Sequence, residues 1–161
     1  MSDEETMQIA FTVNSERISR TVAVRQHLVD FLRTDLGLTG AHLGCEHGVC
    51  GACSVRVDGA VVRGCLMLAV QADGAQVVTI EGLADTGEIA DLQEAFVTRN
   101  ALQCGYCTPG MLMTAAELLG QAVPRSREEI RTFLSGNYCR CTGYHAIIDA
   151  VETTLNKRLQ R

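Results

Sequence analysis

Eight cysteines stand out: Cys45, Cys50, Cys53 and Cys65, then Cys104, Cys107, Cys139 and Cys141. They divide four and four between the halves of the chain, spaced C-x4-C-x2-C-x11-C and C-x2-C-x31-C-x-C. Thiols in such sets support three chemistries. A disulfide framework suits a secreted and usually shorter chain, and Cys139 and Cys141 are too close to pair comfortably with each other. Structural zinc uses C-x2-C pairs. Zinc sites usually combine two short spacings, however, and C-x4-C-x2-C with a remote fourth cysteine does not look like that. The third chemistry is two iron–sulfur clusters, and C-x4-C-x2-C…C is the plant-type spacing for a [2Fe–2S] cluster.

The physics favours the third. A [2Fe–2S] unit on four thiolates carries about −2 when oxidised and one more negative charge when reduced. It needs backbone N–H donors around its sulfurs. The loop Gly44-Cys45-Glu46-His47-Gly48-Val49-Cys50-Gly51-Ala52-Cys53 places small residues where the backbone must turn its amides inward. In the second set, Cys104 and Cys107 precede a helix opened by Pro109, and Cys139 and Cys141 precede the helix at the end of the chain. Two helix N-termini then face one anionic group, and both dipoles favour it.

The elements that must hold these loops differ between the halves. Met7 to Val13 alternates, with Ile9, Phe11 and Val13 on one face; Asn14-Ser15-Glu16 is a turn and Ile18 to Val24 a returning strand. Leu28, Val29, Phe31, Leu32 and Leu36 fit one helical face, stopped by Gly37. Ser54 to Val57, the turn Asp58-Gly59 and Val61-Val62 read as a second hairpin, and Gln76 to Ile80 as a fifth strand. This predicts a small mixed sheet packed on one helix. The second half predicts four helices in a small bundle. Asp91 caps the first, ahead of Leu92, Ala95 and Phe96. Thr108 caps the second, with Pro109 at its first position and Gly120 at its end. Ser126-Arg127-Glu128-Glu129 is a capping box before Ile130, Phe133 and Leu134. Ile148, Val151, Leu155 and Leu159 carry the last helix. The boundary falls in the polar stretch Glu81 to Ile89, giving domains of residues 1–83 and 84–161.

Composition removes other classes. With Lys+Arg 14 against Asp+Glu 19 there is no cationic excess for nucleic acid. No apolar run reaches the ~18 residues of a membrane span, so no membrane insertion is expected. The opening Met-Ser-Asp-Glu-Glu-Thr has neither the basic nor the apolar segment of a signal peptide. Thiolate chemistry then makes the cytoplasm the expected compartment. There is no G-x-G-x-x-G, P-loop or nucleophile constellation, so no catalytic residue is expected in this chain.

Three segments together carry a resemblance: the loop Gly44 to Cys53, Gln103-Cys104-Gly105-Tyr106-Cys107-Thr108-Pro109-Gly110-Met111, and Asn137-Tyr138-Cys139-Arg140-Cys141-Thr142-Gly143-Tyr144. With all eight cysteines in order, from about Met7 to about Leu159, the chain resembles the small iron–sulfur subunit of molybdenum hydroxylases, the xanthine oxidase family in its separate-subunit form, which includes aerobic carbon monoxide dehydrogenase. The resemblance implies an α+β chain: an N-terminal plant-type ferredoxin (β-grasp) domain, then a C-terminal all-α four-helix bundle. It implies one [2Fe–2S] cluster on Cys45, Cys50, Cys53 and Cys65, and another on Cys104, Cys107, Cys139 and Cys141. A large subunit would hold a molybdopterin cytosine dinucleotide and a medium subunit FAD. The small subunit would relay electrons from molybdenum through a buried C-terminal cluster to a more exposed N-terminal one, then to flavin or another acceptor. Gln103 and Cys141 would touch the pterin. Carbon monoxide, aldehydes and N-heterocycles all feed such subunits.

Other residues carry blander expectations. Eight cysteines leave no need for the two histidine ligands of a Rieske centre, and His47 reads as a solvated loop residue. Tyr106, Tyr138 and Tyr144 read as packing around the second set, Met111 and Met113 as core, and Glu128 and Glu129 as caps and solvated charge. Arg140 offsets cluster charge or meets a partner. The rival functions are a freestanding two-cluster carrier and a zinc-stabilised interaction domain.

Overall fold

The computed structural model describes residues 4–160; residues 1–3, part of the stretch read for a leader, and residue 161 lie outside it. Strands β1 (Thr6–Val13) and β2 (Glu16–Ala23) form the first hairpin. Asn14 and Ser15 close it at φ 48° and 72°, the two left-handed positions of the turn whose twist matches paired strands. Strands β3 (Ser54–Val57) and β4 (Ala60–Arg63) form the second hairpin across Asp58 and Gly59, again with both φ positive. Strand β5 (Gln76–Val78) lies between the hairpins, parallel to β1 and antiparallel to β3, so the sheet order is β2-β1-β5-β3-β4. Helix α1 (Leu28–Thr34) buries Leu28, Val29, Phe31 and Leu32 against Ile9, Phe11, Val55 and Val77. The rings of Phe11 and Phe31 lie 5.7 Å apart. At about 1.5–3 kcal/mol for each such buried side chain, this core is what holds the cysteine loop's two ends.

Helices α2 (Ile80–Asp85), α3 (Ala90–Thr98), α4 (Thr108–Gly120), α5 (Arg127–Leu134) and α6 (His145–Leu159) follow. They share a second core of Leu83, Phe96, Met111, Met113, Leu118, Ile130, Ile148 and Val151. The Ser126–Glu129 capping box is present: Ser126 Oγ accepts from Glu129 N–H at 3.3 Å, and Ser126 N–H donates to Glu129 Oε2 at 2.7 Å. Met111 and Met113 are fully buried.

Four local expectations are corrected. The polar boundary stretch contains helix α2, because Leu83 is buried and Ile80 packs on the helical core. Strand β5 accordingly stops at Val78. Asp91 is not the cap of α3. Ile89 holds that position, and Asp91 sits in the first turn, where its carboxylate accepts from Arg158 at 2.6 Å. The cap of α4 is Cys107 rather than Thr108, so Pro109 falls one position further into the first turn, where its missing N–H still costs no helical bond.

Candidate metal centres

The loop between α1 and β3 carries Cys45, Cys50 and Cys53 of the first quartet, and Cys65 follows β4. Three glycines shape the loop. A Cβ on Gly44 would lie 3.1 Å from Cys50 Sγ, and one on Gly48 would strike Leu66. Gly51, at φ +76°, would drive a side chain into Asn137 and the Gly136 carbonyl. The loop turns its amides inward as the spacing predicts. Cys50 N–H reaches Cys45 Sγ at 3.4 Å. That N–H first and the His47 N–H next hold the Cys45 thiol down at about 6, outweighing burial, with the Cys50 thiol and Val49 N–H adding to the effect. His47 thus acts through its backbone, while its ring contacts the Cys45 carbonyl. Cys53 and Cys65 lie beneath, each 2 % exposed. Burial, reinforced by the neighbouring Cys65 and Cys50 thiols, pushes the Cys53 thiol up to about 11.

The second quartet joins the loops before α4 and α6. Cys104 and Cys141 bring their sulfurs to 3.5 Å, and both residues are exposed. Cys107 and Cys139 form a deeper pair. Burial, then the adjoining Cys139 and Cys104 thiols, raises Cys107 to about 12. Burial also opposes ionisation of Cys139, but the Thr142 hydroxyl and N–H, with Cys141 N–H and the Cys107 thiol, leave it below the ordinary value.

The eight sulfurs are all unbridged and group as Cys45 with Cys50, Cys53 with Cys65, Cys104 with Cys141, and Cys107 with Cys139. Among the described residues no three His, Cys, Asp or Glu side chains converge as a single ion requires. Two pairs per site, lined with inward N–H groups, fit a two-iron cage in which each iron takes two thiolates.

The two loops interlock. Tyr138 N–H donates to the Cys50 carbonyl at 2.8 Å. Asn137, 1 % exposed, donates from Nδ2 to the Gly51 carbonyl at 3.2 Å and accepts Thr114 Oγ1–H at 3.0 Å. Arg63 donates to the Gly136 carbonyl at 2.8 Å and also contacts Ser54 Oγ. Tyr106, between Cys104 and Cys107, stacks on His42 at 4.7 Å and donates to the Leu43 carbonyl.

A family described as a 2Fe-2S iron-sulfur cluster binding domain matches residues 11–80, and one described as a [2Fe-2S] binding domain matches residues 79–152. The caffeine dehydrogenase subunit gamma of Pseudomonas sp. (strain CBB1) is 52% identical over 90% of this chain and 89% of its own. The nicotine 6-hydroxylase small subunit of Paenarthrobacter nicotinovorans is 51% identical over 93% and 90%. A chain in the crystal structure of quinoline 2-oxidoreductase from Pseudomonas putida 86 superimposes with a TM-score of 0.89 at 47% identity, covering 97% of both chains. The chain belongs to the small iron–sulfur subunits of the xanthine-family molybdenum hydroxylases. It is the electron-transfer subunit of an oxidoreductase complex.

Within this family frame, several residues do more than the sequence reading expected. Tyr138 is 56% exposed and does not pack; its backbone is what matters. Tyr106 and Tyr144 use their hydroxyls on the cysteine loops. Asn137 and Arg63 gave no signal of their own. Asn137 sits one residue past a helix-stopping glycine and Arg63 at the end of a hairpin strand, both ordinary places for polar residues. Arg140 is exposed.

Proposed function

We propose that this chain relays electrons one at a time from a molybdopterin, as its cytosine dinucleotide, in a large subunit to FAD in a medium subunit. Cys45, Cys50, Cys53 and Cys65 would hold one [2Fe–2S] cluster, and Cys104, Cys107, Cys139 and Cys141 the other. When bound, each cluster supplies a one-electron store. The chain's own residues place the two stores next to each other, stabilise their charge with N–H groups and exclude water from Cys53 and Cys65. The Cys50–Tyr138 hydrogen bond carries the reading, because it joins a residue of the first quartet to the neighbour of Cys139 in the second.

In the chain by itself the second quartet is the open one, with Cys104 and Cys141 exposed and Cys53 and Cys65 buried. A large subunit seated over Cys104 and Cys141 accounts for the burial expected of the second cluster. Gln103, also exposed, donates from Nε2 to the Cys141 carbonyl at 3.1 Å. That bond sets both residues on one surface, where they would meet the pterin. Exposed Val49 and Leu66 beside the first loop suit the flavin side. The sheet with its own core supports a β-grasp, ferredoxin-like first unit, and the helices with theirs a four-helix bundle, α3 to α6; Leu83 and Ile80 pack on the helical core, so the boundary is drawn ahead of α2 rather than after residue 83. Among the described residues no helix is long and apolar enough to cross a membrane. A cytoplasmic site suits ligand thiols that must stay reduced until loaded.

Iron and acid-labile sulfide assays with low-temperature EPR test the proposal. Four irons per chain and two reduced signals are expected, and Cys104→Ser should remove one signal. Zinc in place of iron would overturn it. Tagged chain should bring untagged large and medium subunits through a column; a chain carrying both clusters and no partners would instead be a freestanding carrier.

A further inference from the structure

Tyr144 adopts φ 69° and ψ −17°, a left-handed conformation that aromatic residues avoid. That twist, at the cap of α6, turns both ends of Tyr144 back toward Cys139. Its N–H donates to Thr142 Oγ1 at 3.2 Å. Its phenol oxygen accepts the Cys139 N–H at 2.8 Å. Thr142 Oγ1 in turn donates to Cys139 Sγ at 3.0 Å. Three bonds close a ring around one cysteine. The direction of the last bond is settled by inventory: a ligand thiolate has no proton to give, and the Thr142 oxygen already accepts from Tyr144, so the hydroxyl proton points at sulfur. Threonine is stiff at χ1, which limits its escape to other partners.

We propose that Thr142, oriented by Tyr144, is a positioning residue that sets the reduction potential of the second cluster by donating a hydrogen bond to Cys139 Sγ. This rests on reading Cys139 as a ligand of that cluster. Reduction adds one electron, drawn from those the complex takes from its substrate. One Fe³⁺ becomes Fe²⁺, and the charge on the cage and its thiolates goes from about −2 to −3. No proton moves; the hydroxyl hydrogen stays on Oγ1. A hydrogen bond strengthens as its acceptor gains charge, so this one favours the reduced form and raises the potential. Cys139, Thr142 and Tyr144 are each partly buried, which limits how well water replaces a lost hydroxyl. Arg140 next door is exposed, so its charge is the more heavily screened influence.

The experiment is an EPR-monitored dithionite titration of the purified complex, with the second-cluster signal identified as the one Cys104→Ser removes. Thr142→Val should lower that midpoint by an amount equal to about a tenfold change in the reduction equilibrium, about 59 mV for one electron. Thr142→Ser should restore it, and the first-cluster midpoint should hold in both. An unmoved midpoint in a Thr142→Val complex with four irons per small subunit overturns the proposal. If Thr142→Val loses the second cluster, Thr142→Ala is titrated instead. Loss from both, with retention in Thr142→Ser, assigns the hydroxyl to holding the loop and also overturns it. Failure of the underlying reading looks different: the wild-type complex would then show no second signal to titrate.

Discussion

The carbonyl of Cys50 and the N–H of Tyr138 meet at 2.8 Å, so a single hydrogen bond separates the backbone of one cysteine loop from the residue that precedes Cys139 in the other. Around it, Asn137, Gly51, Gly110 and Arg63 make a joint whose parts come from the first loop, from β4, from α4 and from the turn after α5. This joint ties the two cysteine loops to each other.

Tyr138→Pro removes the N–H while leaving the cysteines in place. Tyr138→Ala keeps it. Freeze-quench EPR of the reduced complex should show electron passage between the clusters slowed in the proline variant and close to wild type in the alanine variant. Equal rates in the two would show that this bond is not on the route.

Asn137→Ala strands the Thr114 hydroxyl in a buried place and takes one of three donors from the Gly51 carbonyl, which keeps the Ser54 N–H and Oγ–H. Thr114 is 6% exposed. Leaving such a group without a partner costs about 1–3 kcal/mol. Denaturant unfolding of the iron-loaded protein checks this, and a loss under half a kcal/mol would mean water fills the site.

Gly110→Ala and Gly120→Ala, both on α4, should have opposite effects. A Cβ on Gly110 would sit 2.2 Å from the Gly51 carbonyl oxygen, a backbone atom of the first cysteine loop. Overpacking of this kind costs about 1–3 kcal/mol, and here it also loosens the iron-binding loop. A Cβ on Gly120 would meet nothing within 4 Å. Alanine there should gain roughly 0.4–1 kcal/mol by restricting the unfolded chain. Thermal melts and iron content of the two variants separate the effects.

Arg56 and Glu88 tie β3 to the segment before α3 at 2.7 Å. The Arg56 hydrogen bond, outweighing partial burial, holds the Glu88 carboxyl below the ordinary glutamate range, with the Arg56 and Arg158 charges assisting. A depressed folded-state value means stabilisation that is complete above the unfolded glutamate value and is lost as pH falls through the folded one. Glu88→Gln should therefore be less stable than wild type at neutral pH, with the gap closing in acid. The Glu88 side chain is 42% exposed, so the gap should also shrink in high salt.

Residue type and short spacing by themselves determined the chemistry of this protein. The C-x4-C-x2-C spacing favoured iron–sulfur chemistry over zinc and disulfides, and two 2Fe-2S-binding families match the chain. Left-handed turn residues such as Asp58-Gly59, and the reciprocal cap of Ser126 and Glu129, are local and equally legible. The tertiary structure alone decided what depends on distant parts of the chain. Helix α2 exists because Leu83 and Ile80 find a core made by later helices. Asn137 matters because folding sets it against Gly51, 86 positions away. The grouping of sulfurs across separate loops, the cap at Cys107 and the Cys50–Tyr138 bond are likewise set by packing between elements, and the energy of such contacts does not exist until both partners have been brought together.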